Sequence, residues 1–180
     1  PGFTLPDAMP QYIAFLRAIN VGGHNVKMEH LRQLFGELGL SEVKTLIASG
    51  NVIFEASAKN SGALEERIEA HLHQALGYEV ATFLRSPSAL KKIAEHVPFA
   101  DTEGTLYIGF LKVPPGSEAV AKLLTLNSET DTLCIHETEL YWGCKGPQSD
   151  SKLSGAQLEK TLKMKVTLRN SSTVKKLVEK

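Results

Sequence analysis

At 180 residues the chain exceeds the commonest domain size, which leaves one large domain or two small ones, and it can bury roughly 70% of its extended surface without disulfides or metal. Its 20 basic and 20 acidic residues give a formal net charge of zero, which argues against a dedicated duplex-DNA binder. Charges interrupt every apolar stretch well short of the roughly 20 residues a membrane span needs, and 42% hydrophobic content excludes wholesale disorder.

Pro1 to Ala8 precede Met9-Pro10 without a basic segment and apolar core, so they read as a processed remnant outside the fold rather than a signal peptide. Residues 12–19 are rich in strand formers and end at the chain-breaking pair Gly22-Gly23. Met28, Leu31, Leu34, Phe35 and Leu38 share one helical face, with Gly39 as the stop signal. Apolar runs at 43–48 and 51–56 meet at Ser49-Gly50-Asn51, whose Gly-Asn dipeptide suits a tight hairpin. Leu64, Ile68, Leu72 and Leu76 predict a second helix ended by Gly77, then a strand at 79–85 and a helix from about Ser88 to His96. The remainder predicts a strand at 105–112, a helix over 118–126, a hairpin at 131–144, a helix over 153–162, a strand at 165–169 and a closing helix from Ser172.

The chain repeats itself. Tyr12-Ile13-Ala14-Phe15-Leu16-Arg17 returns as Tyr107-Ile108-Gly109-Phe110-Leu111-Lys112, and Leu84-Arg85-Ser86 with Leu90-Lys91-Lys92-Ile93 returns as Leu168-Arg169-Asn170 with Val174-Lys175-Lys176-Leu177. The expected fold is α+β: two tandem ferredoxin-like βαββαβ units, over 9–97 and 98–180, each an antiparallel sheet with helices packed on one face.

In that unit the first strand-to-helix loop and the central hairpin share one end of the sheet. Arg17, Asn20, Gly22, Gly23 and Lys27 then approach Ser49, Gly50 and Asn51. A glycine pair leading into a helix leaves backbone N–H groups free to meet an anion. The competing explanation is local, with Asn25 capping the helix and Gly50-Asn51 serving only the turn. Arg85 and Arg169 close equivalent strands, with Ser86 and Asn170 as caps; Arg169 and Asn170 with Lys152 form a second basic candidate site. From Lys145 to Lys180 nine Lys or Arg stand against Asp150, Glu159 and Glu179, a solvated surface or a face for an anionic partner.

Other patterns carry less. His71 and His73 lie two apart on a helix, the wrong spacing for chelation, so neither metal nor cofactor is implied. Ser-x-x-Lys occurs four times, at Ser41, Ser88, Ser149 and Ser172, and discriminates nothing. Leu106-Tyr107-Ile108-Gly109-Phe110-Leu111 is similar to the first-strand motif of RNA-recognition domains. Residues 139–145 lack the companion motif, which makes Tyr107, Phe110, Tyr141 and Trp142 core and sheet residues. Cys134 and Cys144 are too few for a disulfide framework; reduced thiols, near the same level of the second hairpin, suit a cytoplasmic protein.

Phe15-Leu16-Arg17-Ala18-Ile19-Asn20-Val21-Gly22-Gly23, Lys27-Met28, Leu31-Arg32, Ala48-Ser49-Gly50-Asn51-Val52-Ile53-Phe54, Ser151-Lys152-Leu153 and Thr167-Leu168-Arg169-Asn170 with Thr173 to Leu177 together resemble the bacterial family of domain of unknown function 1697. Ala18, Ala48 and Ser171 stand where that family usually has Gly, Gln and Trp. The resemblance covers residues 10–179 and implies a duplicated ferredoxin-like protein without an assigned activity. The leading expectation is a non-catalytic binder of a small anionic ligand, a nucleotide or phosphorylated metabolite, at the Arg17 loop. A single-stranded nucleic-acid binder and an enzyme whose groups assemble only in three dimensions are the alternatives.

Overall fold

The computed structural model describes residues 9–46, 50–100 and 103–180. The chain divides into two compact units after Pro87. In the first, β1 (Gln11–Leu16), α1 (Met28–Glu37), β2 (Ser41–Thr45), β3 (Asn51–Glu55), α2 (Ser61–Leu76) and β4 (Thr82–Arg85) follow in order. The antiparallel sheet runs β2-β3-β1-β4, with Ala14 opposite both Val52 and Leu84. This is the βαββαβ order that the hydrophobic periodicities predict.

One face of that sheet presents Tyr12, Ala14, Leu16, Val52, Phe54 and Leu84 to α1 and α2, which supply Leu31, Leu34, Phe35, Leu64, Ile68 and Leu72. Phe35 meets Phe54 edge-on at 5.5 Å, a geometry that adds about 0.5–1.5 kcal/mol to what burial alone contributes. Alternation along the strands places Ile13, Phe15, Ile53 and Phe83 on the other face, and these are buried too. Strand β2 starts two residues before its predicted position. Its register slips between Ser41 and Lys44, where Glu42 takes φ 50°, a bulge that periodicity does not announce.

The second unit contains α3 (Pro87–Glu95, from Ser88 on), β5 (Thr105–Phe110), α4 (Ser117–Leu124), β6 (Asp131–His136), β7 (Glu139–Cys144), a 3-10 turn at Gln148–Asp150, α5 (Gly155–Leu162), β8 (Thr167–Asn170) and α6 (Ser171–Val178). Its sheet order, β6-β7-β5-β8, repeats that of the first unit strand for strand. Leu123, Leu133, Leu140, Trp142, Leu158 and Leu162 form a core with α4 and α5 on one face.

Helix α3, read from the sequence as trailing the first half, lies in the second unit, ten residues ahead of the expected boundary at 97/98. The reason is local packing. Leu90 and Ile93 are buried, the Tyr141 hydroxyl donates to the Ile93 carbonyl at 3.5 Å, and His96 stacks on His136 with ring centroids 4.2 Å apart. Helix α6 packs on β5 and β8. Helices therefore cover both faces of this sheet, where a one-faced arrangement was expected. Phe110, Tyr141 and Trp142 are fully buried, as core residues and not as an exposed stacking platform.

Candidate functional site

The loop between β1 and α1 is tied to both neighbouring strands. Leu16 N–H donates to the Gly50 carbonyl at 2.8 Å and Arg17 N–H to the Ala81 carbonyl at 2.9 Å. This brings the start of β3 and the approach to β4 beside the loop, as the strand directions require. Within it Ala18, Gly22 and Gly23 adopt φ of 56°, 68° and 86°, a region that favours glycine. A Cβ on either glycine would meet nothing within 4 Å, so these positions need glycine for backbone direction and not for space.

Two side chains hold the loop's shape. Asn20 Oδ1 accepts Val26 N–H at 2.6 Å, and the Tyr78 hydroxyl donates to the Ile19 carbonyl at 2.8 Å. The Tyr78 ring stacks on His24 at 3.7 Å, and burial pushes the Tyr78 phenol pKa up. Helix α1 then begins with Lys27 as its N-cap residue, exposed and with no side-chain cap. Asn25 is not the cap, contrary to the local explanation of this loop. Glu29 stands in the first turn and offsets part of the helix dipole there.

Of the predicted residues, Arg17, Asn20, Gly22, Gly23 and Lys27 share this loop. Arg17 is half-buried and Asn20 serves loop closure. Asn51 is only 2% exposed; it is the first residue of β3, pairs with Phe15, and accepts Leu46 N–H on its carbonyl at 3.1 Å. Asn51 therefore belongs to the ladder and not to the expected Gly-Asn turn. Ser49 lies outside the described residues.

The second basic set divides into separate roles. Asn170 caps α6, its Oδ1 accepting Ser172 N–H at 3.0 Å. Arg169 Nη1 donates to Thr167 Oγ1 at 2.7 Å and to the Leu168 carbonyl at 2.8 Å, and burial pushes its pKa down to about 10. Arg85, at the equivalent register position, donates to the Leu84 carbonyl in the same way at 2.9 Å. Lys152 is exposed, whereas its neighbour Ser151 turns inward to donate to Asp131 Oδ1 at 2.9 Å.

Asp131 escaped notice in the sequence. Its carboxylate, 2% exposed, also accepts from Trp142 Nε1 at 2.8 Å and Thr130 Oγ1 at 3.1 Å. The one legible signal was an acid opening a strand of otherwise buried alternation. Among the described residues no three His, Cys, Asp or Glu side chains converge to hold a metal, and no helix is long and apolar enough to cross a membrane.

The conserved bacterial protein SP0830 from Streptococcus pneumoniae has a similar solved structure, with TM-score 0.75 and 26% identity, covering 96% of this chain and 98% of that one. No curated protein matches the chain. The family described as "Protein of unknown function (DUF1697)" matches over residues 9–141, and the chain belongs to that family.

Proposed function

We propose that the protein is a non-catalytic binder of a small phosphate-bearing anion, a nucleotide or phosphorylated metabolite, held at the β1–α1 loop. The observation that carries this reading is the start of α1. Helices α2, α5 and α6 are capped by Asn60, Ser154 and Asn170 side chains, whereas α1 and α4 have no capping side chain; α1 differs from α4 in opening on a lysine behind two exposed positive-φ glycines. Uncapped N–H groups at a helix start, with Lys27 and Arg17 supplying positive charge, suit a phosphate. Glu29 opposes this, so the cations have to outweigh it. Asn20 and Asn51 enter as scaffold, not as ligand contacts.

The absence of a capping side chain does not by itself call for chemistry, and the loop contributes no cluster of acid–base groups; binding without turnover is the simpler reading. With only two cysteines, too few for a disulfide framework, we place the protein in the cytoplasm. The test is a thermal-shift series with inorganic pyrophosphate and ADP at low and high salt. Both should raise the melting temperature, the rise should shrink with salt, and Arg17→Ala and Lys27→Ala should each abolish it in a folded protein. A rise that survives both substitutions, or no rise with wild-type protein, sinks the proposal.

A further inference from the structure

The second unit contains a cavity of about 530 Å³, within the range of small-molecule sites. Its floor is the α3/α6 side of the sheet at Leu106, Ile108 and Gly143; its walls are the end of α3, the segment through Phe99, and the start of α6. Two glycines shape it. At Gly143 an added Cβ would meet the Phe99 ring at 3.3 Å, so the missing side chain is what lets Phe99 lie close to β7. At Gly104, φ is 89° and a Cβ would overlap the Cys144 carbonyl oxygen, with Lys145 Cα at 2.7 Å, so only glycine brings this edge of the cavity against the strand end.

The lining is apolar at Phe99, Leu106 and Ile108, includes His96 and the acid Glu103, and carries opposite charges on its two helices. Glu95 ends α3 and Lys175 lies one turn into α6. Both line the same cavity, yet among the described residues neither has an ion-pair or hydrogen-bond partner, each other included. An acid at the C-terminal end of a helix also works against the helix dipole, so Glu95 gains nothing locally from its position. Opposite, solvent-exposed charges lining a partly apolar cavity are complementary to a molecule that carries both charges on an apolar body.

We infer that this cavity is a binding site for a zwitterion with an apolar side chain, an amino acid or short peptide. Its ammonium faces Glu95, its carboxylate faces Lys175 and Ser171, and its side chain lies against Phe99, Leu106 and Ile108. The site lies wholly in the second unit and is independent of the anion proposed for the β1–α1 loop.

Three probes separate the charges: L-phenylalanine, phenethylamine (no carboxylate) and 3-phenylpropionate (no ammonium). Titrated into the ¹⁵N-labelled full chain, L-phenylalanine should give saturable shifts at the amides of Gly104, Leu106, Gly143 and Ser171, and each half-analogue should bind roughly three- to tenfold more weakly. Lys175→Gln should weaken L-phenylalanine and 3-phenylpropionate by a similar factor and leave phenethylamine unchanged. Glu95→Gln should weaken L-phenylalanine and phenethylamine and leave 3-phenylpropionate unchanged. Both are exposed, near-isosteric changes, and the mapping on wild-type protein needs neither. The inference is overturned if about 20 mM L-phenylalanine moves none of those amides, or if either substitution leaves its binding unaltered.

Discussion

The Trp142 indole N–H donates to the Asp131 carboxylate at 2.8 Å inside the second unit, across the β6–β7 ladder. Trp142 is fully buried, so its N–H has no water to fall back on. Asp131→Ala should therefore cost about 2–4 kcal/mol, since it strands the buried indole N–H and takes the acceptor from the half-buried Ser151 hydroxyl. Asp131→Asn keeps an acceptor and should cost less. Urea denaturation with tryptophan fluorescence measures both.

The same carboxylate predicts an acid dependence. Burial, the largest single influence, pushes its pKa up, but the bonds from Trp142, Ser151, Thr130 and Cys144 together overcome it and hold the pKa below its ordinary 3.8. A depressed folded pKa contributes stability above the unfolded value and loses it as pH falls through the folded value. The stability gap between wild type and Asp131→Asn should be full at pH 7 and shrink as pH falls below the ordinary 3.8 toward the depressed folded value. A gap that is constant with pH would show that the carboxylate's charge contributes nothing.

The hairpin that carries this network also fixes the thiols. The turn falls at Glu137-Thr138, with Glu137 at φ 55°, so Cys134 pairs with Tyr141 and Cys144 with Asp131. The two cysteines are three register positions apart and point to opposite faces, which corrects the expectation that they lie level. Thiol titration should count two free groups after denaturation. In native protein both should react slowly, because Cys144 is 1% exposed and burial pushes the Cys134 thiol pKa up.

Much of this fold is legible because both halves obey the same periodicities, and the exceptions have physical causes. Ala14 and Gly109 occupy equivalent strand positions, yet only Gly109 is crowded, with Val166 Cγ1 2.8 Å from where a Cβ would lie. Sequence similarity shows the equivalence but not the crowding, which depends on side chains from another strand. The amphipathic pattern marks α3 as a helix but not the unit it packs with, because such a pattern tells which face is buried and not what buries it. The β1–α1 loop residues were identifiable from Gly22-Gly23, whereas Asn51 looked like a turn residue and proved to be buried in a strand. Val97, Pro98 and Phe99 fall between the predicted helix ending near His96 and the strand at 105–112, so the cavity they wall leaves no trace in periodicity.

Gly104 and Gly39 separate two reasons for glycine. Both have positive φ, but an added Cβ at Gly39 meets nothing within 4 Å, whereas at Gly104 it overlaps the Cys144 backbone. Gly39→Ala should cost about 1 kcal/mol, the price of the left-handed backbone alone. Gly104→Ala should cost about 2–4 kcal/mol, because backbone has to move as well. Equal losses in chemical denaturation would mean that the segment before β5 shifts freely.

Asn20 provides the sharpest separation of scaffold from ligand contact in the β1–α1 loop. Its Oδ1 accepts the N–H of Val26, a residue only 5% exposed, at 2.6 Å. Asn20→Ala leaves that N–H without an acceptor and should cost about 1–3 kcal/mol. Asn20→Asp restores an acceptor and should recover most of the loss, with amide exchange at Val26 returning toward the wild-type rate. The aspartate also brings a negative charge into the loop beside Arg17 and Lys27. If a phosphate binds there, Asn20→Asp should be folded and stable yet show a smaller pyrophosphate-induced rise in melting temperature than wild type. A variant that regains stability and keeps the full rise would place the anion elsewhere, and the loop would then be explained by Asn20 and Tyr78 as structure alone.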